Sequence, residues 1–277
     1  MKKINYFLSI FLLSLLTFHG EVKAQTEEMI KLKVPYTSEV PTGQWIKPWN
    51  NACEEASIIM VESYYFGYES MDKKTAIKYM NPLFAIENKI FGYNADTNAA
   101  ETAKLINDHT SFEAVVKDNP TLEEIKEQLR ANHPVITLHY AKNIPNKNYH
   151  FRADGSYYHV IVLVGFDDNT KEFIVNDSGD DKTGAFHRYS YDIVMDSLHD
   201  FNHKTKKANG IARVIFTKSK VLFKTKNNSA VYLISHDTKY PIANPKVFLD
   251  HGWKWKKIRT VSQEMLDKFQ TGELISS

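Results

Sequence analysis

Apolar and polar positions recur along this chain in two rhythms, and the rhythm changes near the middle. Ile30-Lys31-Leu32-Lys33-Val34 alternates apolar with charged residues as an exposed-edge strand does, and Pro35 ends it. From Cys53 the spacing becomes helical: Ala56, Ile59, Met60, Ser63 and Tyr64 share one face, and Gly67 supplies a stop. A second helical pattern covers Met71 to Tyr79. A third runs from Thr97 to Asn107, with Ala100, Ala103, Leu105 and Ile106 on its buried side. Thr121 followed by Glu124 is a capping box that opens a helix reaching Arg130. Period two takes over after Pro134, predicting strands over Val135 to His139 and Tyr157 to Phe166. Asp167 to Thr170 is a turn, and Glu172 to Asn176 returns as hairpin partner. A helix from Tyr191 to Phe201 and a strand from Ile211 to Thr217 follow. Helices first and antiparallel strands second is an α+β arrangement.

The pattern restarts at Val221. A hairpin of Ala230 to Ile234 and Tyr240 to Ile242 turns around His236-Asp237, and a short helix follows, capped by Asn244, opened by Pro245 and closed before Gly252. Residues 221–277 therefore read as a separate small module after a main domain of residues 25–220, with no glycine-serine linker between them. Residues 1–24 read as a signal peptide: Lys2 and Lys3 are followed by the apolar run Tyr6 to Phe18, and Val22-Lys23-Ala24 offers small residues for cleavage. The run is short of the ~20 residues a membrane span needs. The expectation is export, removal before Gln25, and a secreted or cell-envelope location without stable membrane insertion.

Composition adds exclusions. With 43% apolar and 25% charged residues the chain is ordinary for a globular protein. Lys2, Lys3 and Lys23 against Glu21 account for the whole formal charge of +2, so the remainder is neutral and gives no electrostatic case for nucleic acid. Lys254-Trp255-Lys256-Lys257 is basic and aromatic but short, as solvated faces are. Walker, Rossmann and His-Glu-x-x-His patterns are absent, so no cofactor is expected. His199 and His203 have a zinc-compatible spacing but no third ligand nearby in sequence, so no metal is assigned. Tyr64-Tyr65-Phe66 and Tyr157-Tyr158 read as core and cleft wall.

Cys53 is the only cysteine of the 277 residues. Exported domains that use cysteine structurally use it in pairs. A lone cysteine is otherwise a small buried hydrophobe, but this one opens a helix, where unpaired N–H groups and the dipole stabilise a thiolate. Such a nucleophile needs a base and a group that orients the base. His159 opens the apolar strand Val160 to Gly165, and Asp177 ends its neighbour; around a turn at Asp168-Asn169 the two lie equally far from the turn. Each is unremarkable singly, a surface or core histidine and a turn-forming aspartate. Together with Cys53 they make a Cys-His-Asp constellation.

The order and the local strings resemble papain-clan cysteine peptidases, most closely the family that processes double-glycine bacteriocin leaders, in its peptidase-like branch. The resemblance spans Leu32 to Thr217 and rests on Val34-Pro35-Tyr36-Thr37-Ser38, Asn51-Ala52-Cys53-Glu54-Glu55-Ala56-Ser57, the stretch Tyr93 to Ile106, Tyr158-His159-Val160 with Gly165-Phe166-Asp167-Asp168, and Ile174 to Gly179. It implies a papain-like fold with nucleophile Cys53, general base His159 and orienting Asp177. It also implies a peptide or protein substrate, cleaved at a peptide or isopeptide bond through a thioester. Val231 to Ile234, Pro241-Ile242 and Val247 to Trp255 resemble a small module often attached to such proteins, to which the resemblance assigns no role; cell-envelope contact through it belongs to the binding alternative below. Two positions depart from the pattern. Relatives often follow the cysteine with Gly-Pro, where Glu54-Glu55 stands here, and they carry glutamine where this chain has Glu39. An ionised carboxylate cannot donate a hydrogen bond, so Gln44 from the same loop is the expected oxyanion donor, assisted by the Cys53 N–H. These departures keep two alternatives open: an inactive member that binds the cell envelope, and an acyltransferase.

Overall fold

The computed structural model describes residues 28–149, 151, 153 and 155–277; the expected signal peptide lies outside them. In chain order the elements are β1 (Met29–Lys31), α1 (Cys53–Tyr65), α2 (Lys73–Ile90), α3 (Ala99–His109), β2 (Phe112–Asp118), α4 (Leu122–Arg130), β3 (Val135–Tyr140), β4 (Tyr158–Asp167), β5 (Glu172–Asn176), β6 (His187–Ser190), α5 (Tyr191–Ser197), β7 (Phe201–Asn202), β8 (Lys207–Ala208) and β9 (Arg213–Ser219). Beyond them come β10 (Val221–Thr225), β11 (Tyr232–Ser235), β12 (Thr238–Pro241), α6 (Pro245–Asp250), β13 (Ile258–Val261), α7 (Gln263–Asp267) and β14 (Gln270–Thr271). A 7-stranded sheet in the order β2-β9-β3-β4-β5-β6, with β1 added beside β4, forms the main body. The result is an α+β, papain-like fold in which helices α1 to α3 precede most of the sheet.

β4 is the spine of that sheet. All ten of its residues are buried, because it pairs β3 on one side and β5 on the other while α1 and α4 cover it. A strand covered on both faces needs no polar alternation, which explains the unbroken run Val160 to Val164. α1 is buried nearly all round, Glu62 excepted. The sequence assigned it one apolar face, but it lies inside the body with α2 and β4 against it, so Glu54 and Glu55 are buried as well. α1 closes on a left-handed Gly67 (φ 72°), whose N–H and that of Tyr68 donate to the carbonyls of Tyr64 and Ser63. α3 and α4 both open with reciprocal capping boxes, Asn98 with Glu101 and Thr121 with Glu124. On α3 the buried side is Ala99, Thr102, Ala103, Leu105 and Ile106, while Ala100 faces outward.

The last strands form a second sheet, 5-stranded, in the order β13-β10-β11-β12-β14. Alternation along β10 divides its side chains. Leu222 joins Val231 and Phe248 in a small local cluster, whereas Val221 and Phe223 join the main core with Ile234, Leu266 and Phe269. Phe223 stacks on Phe66 and His236 on Tyr64, so this sheet rests on the C-terminal end of α1.

Candidate active site

Cys53 is the first residue of α1, and its N-cap, Ala52, has no side chain with which to cap the helix. The first turn is thereby left facing a cleft of ≈ 250 Å³, walled by Trp45, Tyr149, Phe151 and Tyr157 with Glu39, Asp96 and His159 among its polar lining. Cys53 is free of any disulfide and buried at the cleft floor.

His159 stands in β4 directly across from His139 of β3. Its Nε2 and Asp177 Oδ1 are 2.8 Å apart. The pairing arises differently from the symmetric hairpin expected. The turn sits later, with Asp167 opposite Glu172, and an irregularity between Leu163 and Gly165 leaves Val162 opposite Asn176. Continuing that register puts position 177 beside Ile161, so Asp177 meets His159 on the diagonal of the same face. Gly179 leaves room for the ring, since a Cβ there would lie 2.8 Å from His159 Cε1. With Nε2 committed to Asp177, Nδ1 is left for the sulfur. A ring nitrogen of His159, Cys53 Sγ and a carboxylate oxygen of Glu39 all lie within 4.8 Å of one another.

Asp177 is fully buried yet richly served. It accepts from Tyr149 Oη (2.6 Å), Tyr189 Oη (2.7 Å) and the Gly179 N–H (3.2 Å) besides His159. Burial alone would raise its pKa, but these donors hold it below the usual carboxylate range. Burial likewise disfavours a charged His159, and the hydrogen bond and charge of Asp177, with Glu39 and Asp96, more than offset that and leave its pKa raised. His139 does not compete as a base. Its two ring nitrogens engage Ser197 Oγ and Thr137 Oγ1, and burial lowers its pKa to about 3.

The other flank is acidic. Cys53 Sγ lies 3.1 Å from Glu54 Oε2, whose partner oxygen accepts from the Thr97 N–H at 2.7 Å. Burial pushes the thiol pKa well up, and the carboxyls of Glu54, Glu39 and Asp96 push it further. The helix start does not produce the low-pKa thiolate expected from sequence, because the sulfur is buried and Glu54 points inward beside it. Glu54 is itself raised by burial and by Asp96 and Glu87, and Glu39 is raised to about 7, mainly by burial.

Of the four residues singled out in the sequence, Cys53, His159 and Asp177 converge. Gln44 does not: it is exposed, off the cleft lining, on a tight turn where its N–H donates to Thr42 Oγ1. Glu39 takes the inward position instead, anchored by its N–H on the Ser178 carbonyl at 3.0 Å. His199 and His203 are also apart in function. α5 ends at Ser197, His199 Nδ1 meets the Gly210 carbonyl, and His203 Nε2 meets Glu101 Oε2 at 2.7 Å. Three contributors escaped sequence reasoning. Asp96 accepts from Asn51 Nδ2 at 2.7 Å beside the nucleophile, and Tyr149 and Tyr189 hold Asp177. Asp96 sits in the Tyr93 to Ile106 string; the tyrosines carry no local signal.

The model of the Peptidase C39 like family matches residues 31–209. A crystal structure of a Bacillus anthracis protein provisionally described as a C39-like peptidase is similar at 16% identity and TM-score 0.45, covering 69% of this chain and 98% of that one. No curated protein matches the chain.

Proposed function

The chain belongs to the C39-like peptidase family, a family of cysteine peptidase-like hydrolases, and on that premise we propose that it cleaves a peptide or isopeptide bond through a thioester on Cys53. The observation that carries the reading is the fixed imidazole: Nε2 sits 2.8 Å from buried Asp177, and a ring nitrogen lies within 4.8 Å of Sγ at the floor of an aromatic-walled cleft. His159 takes the Sγ proton as the sulfur attacks the carbonyl carbon. The tetrahedral intermediate then collapses, and the imidazolium passes its proton to the departing amine. Water, deprotonated by the same imidazole, cleaves the thioester and restores the thiol. Asp177 keeps the ring in the tautomer this needs. The thiol is held neutral at rest, so proton transfer accompanies attack rather than preceding it.

One observation favours the binding-only alternative, the Glu54 carboxyl against Sγ. The discriminating experiment incubates native protein with iodoacetamide and with a peptide library, both read by mass spectrometry. Enzyme predicts a single label on Cys53 and library cleavage that Cys53→Ala abolishes. Cleavage unchanged in Cys53→Ala, or a native thiol that resists the reagent, overturns the proposal. Export fits the pattern of residues 1–24, and an intact mass of exported protein that retains them would refute it. Residues 221–277, with their own sheet, are the segment we propose for cell-envelope contact.

A further inference from the structure

Glu39 is an ionisable group of the cleft that the thioester pathway leaves without a task. It lies beside the nucleophile and the base, with a carboxylate oxygen, Sγ and a His159 ring nitrogen mutually within 4.8 Å. Its side chain is buried, and its backbone is tied to the strand end that carries Asp177. Any carbonyl attacked by Sγ develops its negative charge on an oxygen two bonds from the sulfur, near the start of α1. Stabilising that oxygen takes donors aimed at it. The Cys53 backbone N–H at the uncapped helix start is one. No second donor comes from Gln44, which is exposed and off the cleft.

We propose that Glu39, in its neutral carboxylic acid form, donates the second hydrogen bond to the oxyanion, so that acylation of Cys53 is gated by the protonation of this one side chain. The inference rests on the thioester reading of the same cleft. A carboxylic acid has one O–H to give and a carboxylate has none, so the residue works as donor only while protonated. The groups that face it decide that state. Burial is the largest influence and raises its pKa to about 7; the charge of His159 of β4 works against that rise, while Asp177 after β5 and Asp96 before α3 add to it. Cys53 and Glu54 of α1 complete the surroundings, both held toward their neutral forms. On its own segment Tyr36 donates to the Asp180 carbonyl and stays a neutral phenol. No lysine or arginine is among the causes that set its pKa. Once ionised, Glu39 would not only lose its proton but place a negative charge beside a developing negative oxygen.

Two reactions of the same sulfur separate this role from every other. Acylation by 4-nitrophenyl acetate passes through a tetrahedral oxyanion; alkylation by iodoacetamide displaces iodide at a saturated carbon and forms no oxyanion. Both need the same thiol and the same imidazole, so their rate ratio cancels the contributions of Cys53 and His159. In the full-length protein the ratio should be flat below about pH 6 and fall up to tenfold per pH unit above about 7. Glu39→Gln, with an amide donor that does not titrate, should keep a high ratio up to pH 9. Glu39→Ala should lower it by roughly 10²-fold at pH 6 while alkylation continues. A native ratio independent of pH, or an unchanged ratio in Glu39→Ala, overturns the donor role while leaving the thioester reading intact. Failure of both reagents to modify native Cys53 removes both.

Discussion

Asp177 and Glu54 flank the same cysteine-histidine pair, both entirely out of solvent, and they are treated in opposite ways. Asp177 collects donors from a histidine ring, two tyrosine hydroxyls and a backbone amide, and its pKa falls in spite of burial. Glu54 collects one amide and one hydroxyl from Thr97 and otherwise faces Asp96, Glu87 and the thiol, and its pKa rises. Burial pushes both upward and is the largest single influence on each. What decides is whether the surroundings bring hydrogens or more carboxyls. The site therefore has an ionised pole at the imidazole and a neutral, proton-rich pole at the sulfur.

The strongest way to break the contrast is to remove the ionised pole. Asp177→Ala should lower peptide turnover by roughly 10²- to 10⁴-fold, since the imidazole loses the partner that fixes its tautomer. It should also move the acid limb of the rate profile to lower pH, because the group that raises the His159 pKa is gone. Steady-state kinetics across pH 5 to 9 would check both. An unshifted limb would mean Asp177 acts only as packing.

A second change sharpens the neutral pole. Glu54→Gln retains an oxygen for the Thr97 N–H and can present an amide hydrogen to Sγ in place of a carboxyl. The thiol pKa should drop, and iodoacetamide labelling at pH 7 should speed up by roughly tenfold, the effect of about one pKa unit on thiolate fraction. Labelling no faster than native would show that Glu54 is already no obstacle.

The smallest effect concerns stability. Glu87, behind Glu54 and Glu55, is raised to about 7, chiefly by burial. A carboxyl whose folded pKa exceeds its unfolded value stabilises the fold below the unfolded value, near pH 4.5, and that contribution is lost as pH rises to about 7. Glu87→Gln should leave the melting temperature unchanged at pH 4 and raise it at pH 8 by on the order of 5 °C. Calorimetry at the two pH values checks the sign. A gain at pH 4 instead would point to packing.

Much of this was legible in the sequence where the signal is local. Cys53 at a helix start, His159 and Asp177 at strand ends, and the capping box at Thr121 all rest on a few adjacent residues. Elements whose burial is set from a distance were not. α2 was expected to stop at Tyr79, yet it continues through Pro82 to Ile90, because Met80, Leu83, Phe84 and Glu87 extend its buried face past the missing N–H. β2 was missed because it is an edge strand whose Val115 points to solvent, which breaks the alternation Phe112, Ala114, Val116 would otherwise show. Gln44 was preferred over Glu39 on the premise of a carboxylate ionised as in water. Only burial in the folded cleft, among other acids, changes that premise.

Lys220 alone separates β9 from β10, and its N–H is bound to the Ser111 carbonyl at 2.9 Å. Two sheets joined through one anchored residue cannot swing about each other like beads on a cord. Gly67 tightens the seat further, for Phe269 fills the space where its Cβ would be. The last sheet is thus held at a constant reach from Cys53, with α1 as the rod between them, about 20 Å at 1.5 Å per residue. The floor of the cleft and the far sheet therefore sit at the two ends of one rigid strut and keep a fixed spacing.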